Sequence, residues 1–411
     1  MRSGPNWKPS RRRPVAQCGR SPLPRFPQPL GVSASRLPWL PALAGFGEPV
    51  DAVSQTGRTR TMEFGMFHEF QRRPGQSETQ AFAESFEQVD EAEKAGLDVM
   101  WLAELHNAPE RSVLAAPLAV ASAIATRTKR MKIGIAVQVL PLCHPLRIAE
   151  EAATVDHISQ GRLIFGIGRS GFPRTYQAYG ISYAESRERF AEVTEILKRA
   201  WTQERFSFHG KFYDFEDICL VPKPYQAPYP ELRMAVNSPD TFQQTGEAGI
   251  PIFVATRLGD LDELVPNLRI YREAWAAAGH PGQGQVYLRV PVYLAETEKQ
   301  AREDPHESVM FFYKYLGERI EASAVQEGAR AIENRAERGQ RLQTIDYEDV
   351  LKSKIVVGTP AMVVDRLATL KETLGLSGIL AEMNCGMRIP HEQVSNSLRL
   401  MCSRVMPHLR D

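Results

Sequence analysis

From Met62 onward the chain alternates short apolar runs with amphipathic helical stretches, and this alternation constrains the fold more than any single motif. The runs are "MEFGMF", "LDVMWLAE", "MKIGIAVQVL", "RLIFGIG", "ELRMAVNS", "IPIFVAT", "QVYLRVPVYLAE" and "LSGILAEMN". None switches steadily between polar and apolar residues, which is the pattern of strands covered on both faces in a parallel sheet. Helical stretches separate them. "TQAFAESFEQVDEAEKAG" stops at Gly96 and "HPLRIAEEAATVDHISQG" at Gly161, the residue type favoured just past a helix. Thr359 and Pro360 suit the cap and first turn of a later helix. Strand–helix units repeated in this way across residues 62–411 predict a (β/α)8 TIM barrel with insertions. An open doubly wound sheet is the alternative that periodicity alone leaves standing. Two stretches fall outside the alternation. "FSFHGKFYDFEDICLVPKPYQAPYP" reads as a hairpin and loop, and the charged, helical segment from Thr297 to Ser353 as a lid or partner surface.

Residues 1–61 are of another kind. "RRRPVAQCGRSPLPRFPQPLG" is rich in Arg, Pro and Ser, no acidic residue precedes Glu48, and prolines interrupt every helical or strand period. This segment is expected to be a disordered extension outside the fold, translated from upstream of a start at Met62; its composition also resembles a transit peptide. A formal net charge of +1 gives no expectation of nucleic acid or an anionic membrane as partner. No apolar run is long enough for a transmembrane helix. Five scattered cysteines form no C-x-x-C pair, and nine histidines give no metal-ligand spacing, so a cytoplasmic protein without a metal is expected.

Gly166, Gly168 and Gly171 spell G-x-G-x-x-G directly after an apolar run. A dinucleotide fingerprint also requires a helix opening inside the motif and an acidic residue about twenty positions on, at a strand end. Here Pro173 follows at once, "FPRTYQAYGISYAES" reads as loop, and the position twenty residues on lies inside a strong helix. The glycines instead mark the C-terminal rim of the fourth strand, where barrel active sites gather. Gly168 would let a flat ligand approach the backbone, and Arg169 can pair with a phosphate or with a neighbouring carboxylate.

Several segments in order resemble the bacterial luciferase-like flavin monooxygenases: "AEKAGLDVMWLAELH", "IGIAVQVLPLCHPLRIAEEAATVDHISQGRLIFGIGRSG", "MAVNSPDTFQQTGEAGIP" and "VGTPAMVVDRLATLKETLGLSGILAEM". The resemblance implies a barrel binding FMN at its strand ends, reduced FMN reacting with O2, a small organic substrate, a separate flavin reductase and a homodimer. By the same resemblance Arg169 matches the flavin-phosphate arginine, and Asn237, Ser238 and Thr241 the segment around the phosphate. The bond between Ala136 and Val137 falls at the family's non-prolyl cis peptide under the flavin ring. The luciferases carry Glu-His-His after the second strand; this chain has Glu104, Leu105 and His106. Leucine transfers no proton, so the luciferase aldehyde reaction and light emission are not implied. His106 is the remaining catalytic candidate, with Glu104 orienting it, and Phe172, Tyr176 and Tyr179 are candidate pocket aromatics. Two alternatives stay open: hydride transfer with the deazaflavin F420, which would favour extra basic residues near the phosphate, and a non-catalytic flavin-binding barrel.

Overall fold

The computed structural model describes residues 61–256, 260–323 and 335–410. Apart from Thr61, the expected N-terminal extension lies outside the described residues. Strands β1 (Glu63–His68), β2 (Val99–Leu102), β3 (Lys132–Val139) and β4 (Leu163–Gly168) pair in parallel in that order. The hairpin β5 (Phe206–His209) and β6 (Asp214–Ile218) stands apart as an antiparallel pair. β7 (Glu231–Ala235), β8 (Ile252–Ala255), β9 (Val286–Leu294) and β11 (Gly378–Glu382) continue the parallel ring. β11 returns to β1 with Glu63 opposite Gly378, which closes an eight-stranded barrel. The open-sheet alternative is thereby excluded. Three-residue β10 (Val356–Gly358) adds outside the ring on β9.

Strand burial follows from this closure. Every residue of β2, β4 and β11 is buried, as expected where one face meets helices and the other meets the barrel axis. Trp101 of β2 fills the axis, and a Cβ at Gly65 or Gly134 would lie within 2.4 Å of its ring. Those glycines make room for the indole. Below Trp101, buried Arg233 pairs with Glu63 at 2.7 Å and Glu231 at 2.8 Å, and lies 3.6 Å from the Tyr287 ring centroid. The N-terminal end of the barrel is therefore plugged, and Phe67, Ala103, Phe253 and Leu380 form the floor of a cavity at the other end.

Outer helices carry the expected boundary chemistry. α1 (Glu78–Ala95) starts at Ser77, whose hydroxyl accepts from Gln80 N, and ends at Gly96 in the left-handed region. α2 (Pro117–Arg127) and α3 (Pro145–Ser159) open on proline, and α3 ends through Gln160 and Gly161, both with positive φ. α4 (Pro173–Ala178) corrects the reading of "FPRTYQAYG" as loop: Pro173 supplies the preset φ of a first helical residue, and one short turn follows. α5 (Ser186–Thr202), α6 (Pro239–Glu247) and α7 (Leu264–Ala277) complete the middle of the barrel. The described part of the second insertion is helical, with α8 (Glu298–Glu303), α9 (His306–Ser323), α10 (Arg335–Thr344) and α11 (Tyr347–Ser353). α9 and α10 meet where Gly317 and Gly339 face each other; a Cβ on either would lie within 2.8 Å of the other's carbonyl oxygen. Val309, Phe312, Leu316, Ile320 and Leu342 give these helices their own apolar cluster. α12 (Pro360–Leu374) and α13 (His391–Arg404) end the barrel.

Candidate active site

A cavity of about 280 Å³ opens at the C-terminal ends of the strands. Its wall brings together Ala136, Val137, Gly168, Arg169, Asn237, Ser238 and Thr241, candidates from three strand ends spread between residues 136 and 241 of the chain. The Ala136–Val137 peptide bond is cis, and the β3–β4 register shifts between Ile135 and Gln138. Gly168 faces this bond: a Cβ there would meet Val137 Cγ2 at 2.5 Å. Gly166, one step deeper, could hold no side chain at all, since a Cβ would lie 1.9 Å from the Ile135 carbonyl oxygen. The first two glycines of the motif thus serve close packing between β3 and β4.

One end of the cavity is polar. Arg169 donates to Ser186 Oγ at 2.9 Å, and its carbonyl accepts from the buried Tyr176 hydroxyl. Among the described residues it has no carboxylate partner. Burial, the largest influence, holds its pKa below the ordinary arginine range. Beside it α6 begins. Ser238 N donates to Thr241 Oγ1 at 3.2 Å, and the two hydroxyl oxygens lie 2.5 Å apart. A helix N-terminus with two hydroxyls beside a half-buried cation that has no carboxylate partner among the described residues suits an anion. The other end is largely apolar, lined by Phe67, Val137, Met234, Phe253 and Leu380, with the Arg289–Glu69 pair beside Phe67. A ligand joining an aromatic ring to an anionic group would meet both halves.

His106 lies outside this cavity, in a smaller recess of about 80 Å³ lined also by Asn107, Arg111, Arg174, Tyr315 and Arg319. Glu104, Leu105, Val139, Ser170 and Phe172 line both spaces and form the wall between them. Nε2 of His106 lies 2.7 Å from Glu104 Oε1, and Nδ1 lies 2.9 Å from the Tyr179 hydroxyl. Glu104 Oε2 accepts from Gln138 Nε2 and, at 2.8 Å, from Val139 N. With both carboxylate oxygens accepting, Nε2 carries the imidazole proton and Nδ1 accepts from Tyr179. Leu105 puts an apolar side chain on the dividing wall.

The aromatic candidates separate. Phe172 lines both spaces, whereas Tyr176 is buried behind Arg169, and Tyr179 is half exposed and reaches only His106. Tyr183, which the sequence reading passed over, lines the main cavity instead. The same reading missed a cluster of charged residues, of which Glu69 and Arg289 line the main cavity and Arg111 the smaller recess. Arg289 lies 3.6 Å from the Phe67 ring centroid and donates to Glu382 Oε2 at 2.7 Å and Glu69 Oε1 at 3.0 Å. Arg111 pairs with the same Glu69, its Nε donating to Oε2 at 2.7 Å. These four residues come from distant parts of the chain, and no local pattern announces them. Cys143, near Glu104, stays a thiol, because burial pushes its pKa well up.

The family model for luciferase-like monooxygenases matches residues 62–377. The oxygenase component of a flavin-dependent trigonelline monooxygenase from Acinetobacter baylyi is 25% identical over 353 residues, covering 84% of this chain and 95% of its own. An F420-dependent glucose-6-phosphate dehydrogenase from Kineococcus radiotolerans is 32% identical over 222 residues, covering 52% of this chain and 64% of its own. Among solved structures, the oxygenating constituent of 3,6-diketocamphane monooxygenase from Pseudomonas putida, a type II Baeyer-Villiger monooxygenase in complex with FMN, superposes with a TM-score of 0.72. It is 23% identical, with 85% of this chain and 98% of that one covered.

Proposed function

The chain belongs to the luciferase-like monooxygenase family, and from that premise we propose that it is an FMN-dependent oxygenase. It takes reduced FMN from a separate reductase and inserts one atom of O2 into a small organic substrate. The observation that carries this reading is the two-ended cavity, apolar around the cis peptide and anion-binding around Arg169, Ser238 and Thr241. Arg169 and the α6 N-terminus would hold the phosphate. Phe67, Val137, Phe253 and Leu380 would flank the ring, where bound reduced flavin supplies the electrons that activate O2. The apolar floor and the plugged lower barrel keep bulk water from that end, which limits unproductive oxidation.

His106 handles the proton. Glu104 fixes its ring so that Nε2 carries hydrogen, while Nδ1 accepts a proton through Tyr179, whose half-exposed position connects it to solvent. The recess around His106 adjoins the flavin cavity through Phe172 and Leu105 and is the substrate side. The decisive experiment supplies reduced FMN, 18O2 and a panel of ketones, terpenes, aldehydes, organosulfur compounds and N-heterocyclic acids. One labelled oxygen in a product supports the reading. Absence of both flavin affinity and label across the panel defeats it.

A further inference from the structure

Arg335 is a second guanidinium at the cavity wall without a carboxylate partner among the described residues. It is the first described residue of α10 and only 6% exposed. Its Nε donates to Ser323 Oγ at 2.8 Å and its Nη2 to the Gly171 carbonyl at 2.7 Å. Gly171 is the second residue beyond Arg169, so the insertion reaches back to the loop that carries the first arginine. Arg169, Arg335 and Tyr183 line one cavity.

Two other arginines differ. Arg289 lines the same cavity and buried Arg111 the recess beside it, yet they share Glu69 and Glu382. Arg169 and Arg335 have hydroxyls and carbonyls around them and, among the described residues, no carboxylate partner. Burial pulls the pKa of both below the ordinary arginine range. Buried charge is costly unless it is paired. A group bearing two negative charges between them pairs both at once. Phosphate monoesters carry close to two negative charges at neutral pH.

Resting on the reading that the cavity holds FMN, we propose that Arg335 is a second flavin-phosphate ligand, supplied by the helical insertion rather than by the barrel. The phosphate then ties the insertion to the loop after β4, and flavin binding and placement of α9 and α10 over the cavity become one event. Leu316 and Ile320 of α9 line the same cavity, so this placement also covers the ring end.

The test compares dissociation constants of FMN and riboflavin, which share the ring and differ by the phosphate, on the full-length protein by flavin fluorescence. Arg335→Ala is expected to weaken FMN about tenfold or more, the factor a charge-assisted hydrogen bond is worth. Its riboflavin affinity is expected to match wild type, which also shows that the variant is folded. Arg335→Lys should recover part of the FMN affinity. FMN should protect the insertion from limited proteolysis in wild type and protect it less in Arg335→Ala. Equal losses for FMN and riboflavin, an unchanged FMN affinity, or a loss seen only with F420 would each overturn the assignment. Wild-type protein that binds no flavin overturns the FMN reading itself, a result distinct from all three.

Discussion

Arg169 sets the energetics at the residue scale. Its half-buried guanidinium donates to one hydroxyl and its carbonyl accepts from Tyr176, so on the proposed reading an arriving phosphate would gain a partner already oriented. Arg169→Ala should weaken FMN binding by about 1.5–3 kcal/mol, measured by equilibrium titration, and an unchanged constant would remove the phosphate role. His106 is a different case. Because it sits beyond the dividing wall, His106→Ala should lower kcat by about 10²-fold or more while leaving FMN affinity alone. Turnover at the wild-type level would make the Glu104–His106–Tyr179 chain structural. Arg169, Ser238 and Thr241 were legible in the sequence because each follows a strand within a recognisable local segment. Arg289 and Arg335 were not, since they join the site only through barrel closure and through an insertion more than 150 residues downstream of Arg169. Tyr179 was named for the wrong reason: a helix nobody would read from "PRTYQA" turns it toward His106.

Among the elements, β4 shows why the G-x-G-x-x-G string misleads. Its glycines answer to neighbouring strands rather than to a pyrophosphate. Gly166→Ala forces a Cβ against the Ile135 backbone and should destabilise the fold by about 1–3 kcal/mol or more, as overpacking does. Gly171 has nothing within 4 Å of an added Cβ, so Gly171→Ala should stay within about 0.5 kcal/mol of wild type. Urea titrations of the pair check both; equal effects would mean the strand packing is not what selects glycine. The eight barrel strands were readable because continuous apolar runs leave few other folds. β10 escaped because three residues carry no period, and α4 escaped because six residues after a proline look the same in a loop and in a helix.

Across the whole molecule, His68 joins the start of the barrel to its end. It closes β1, its Nδ1 accepts from Phe70 N at 3.0 Å, and its Nε2 donates to Gln88 Oε1 of α1 at 2.9 Å. Gln88 in turn donates from Nε2 to His391 Nδ1 of α13 at 3.0 Å, a link across 303 residues. Both ring nitrogens are committed to the neutral imidazole, and protonating Nδ1 would break the bond to Phe70. Burial accordingly lowers the His68 pKa to about 4, against smaller upward contributions from Gln88 and Glu69 and a downward one from His391. In the unfolded chain the ring titrates near 6.5, so the unfolded state binds the additional proton between these values. Stability from this residue is therefore complete above about pH 6.5 and lost as the pH falls toward about 4, amounting to about 3 kcal/mol. His68→Asn keeps an acceptor for the Phe70 amide and does not titrate. Its stability deficit relative to wild type should be largest near neutral pH and shrink by about that amount toward pH 4 in denaturant titrations. A deficit that does not change with pH would show that the first and last elements are held together without regard to the charge on His68.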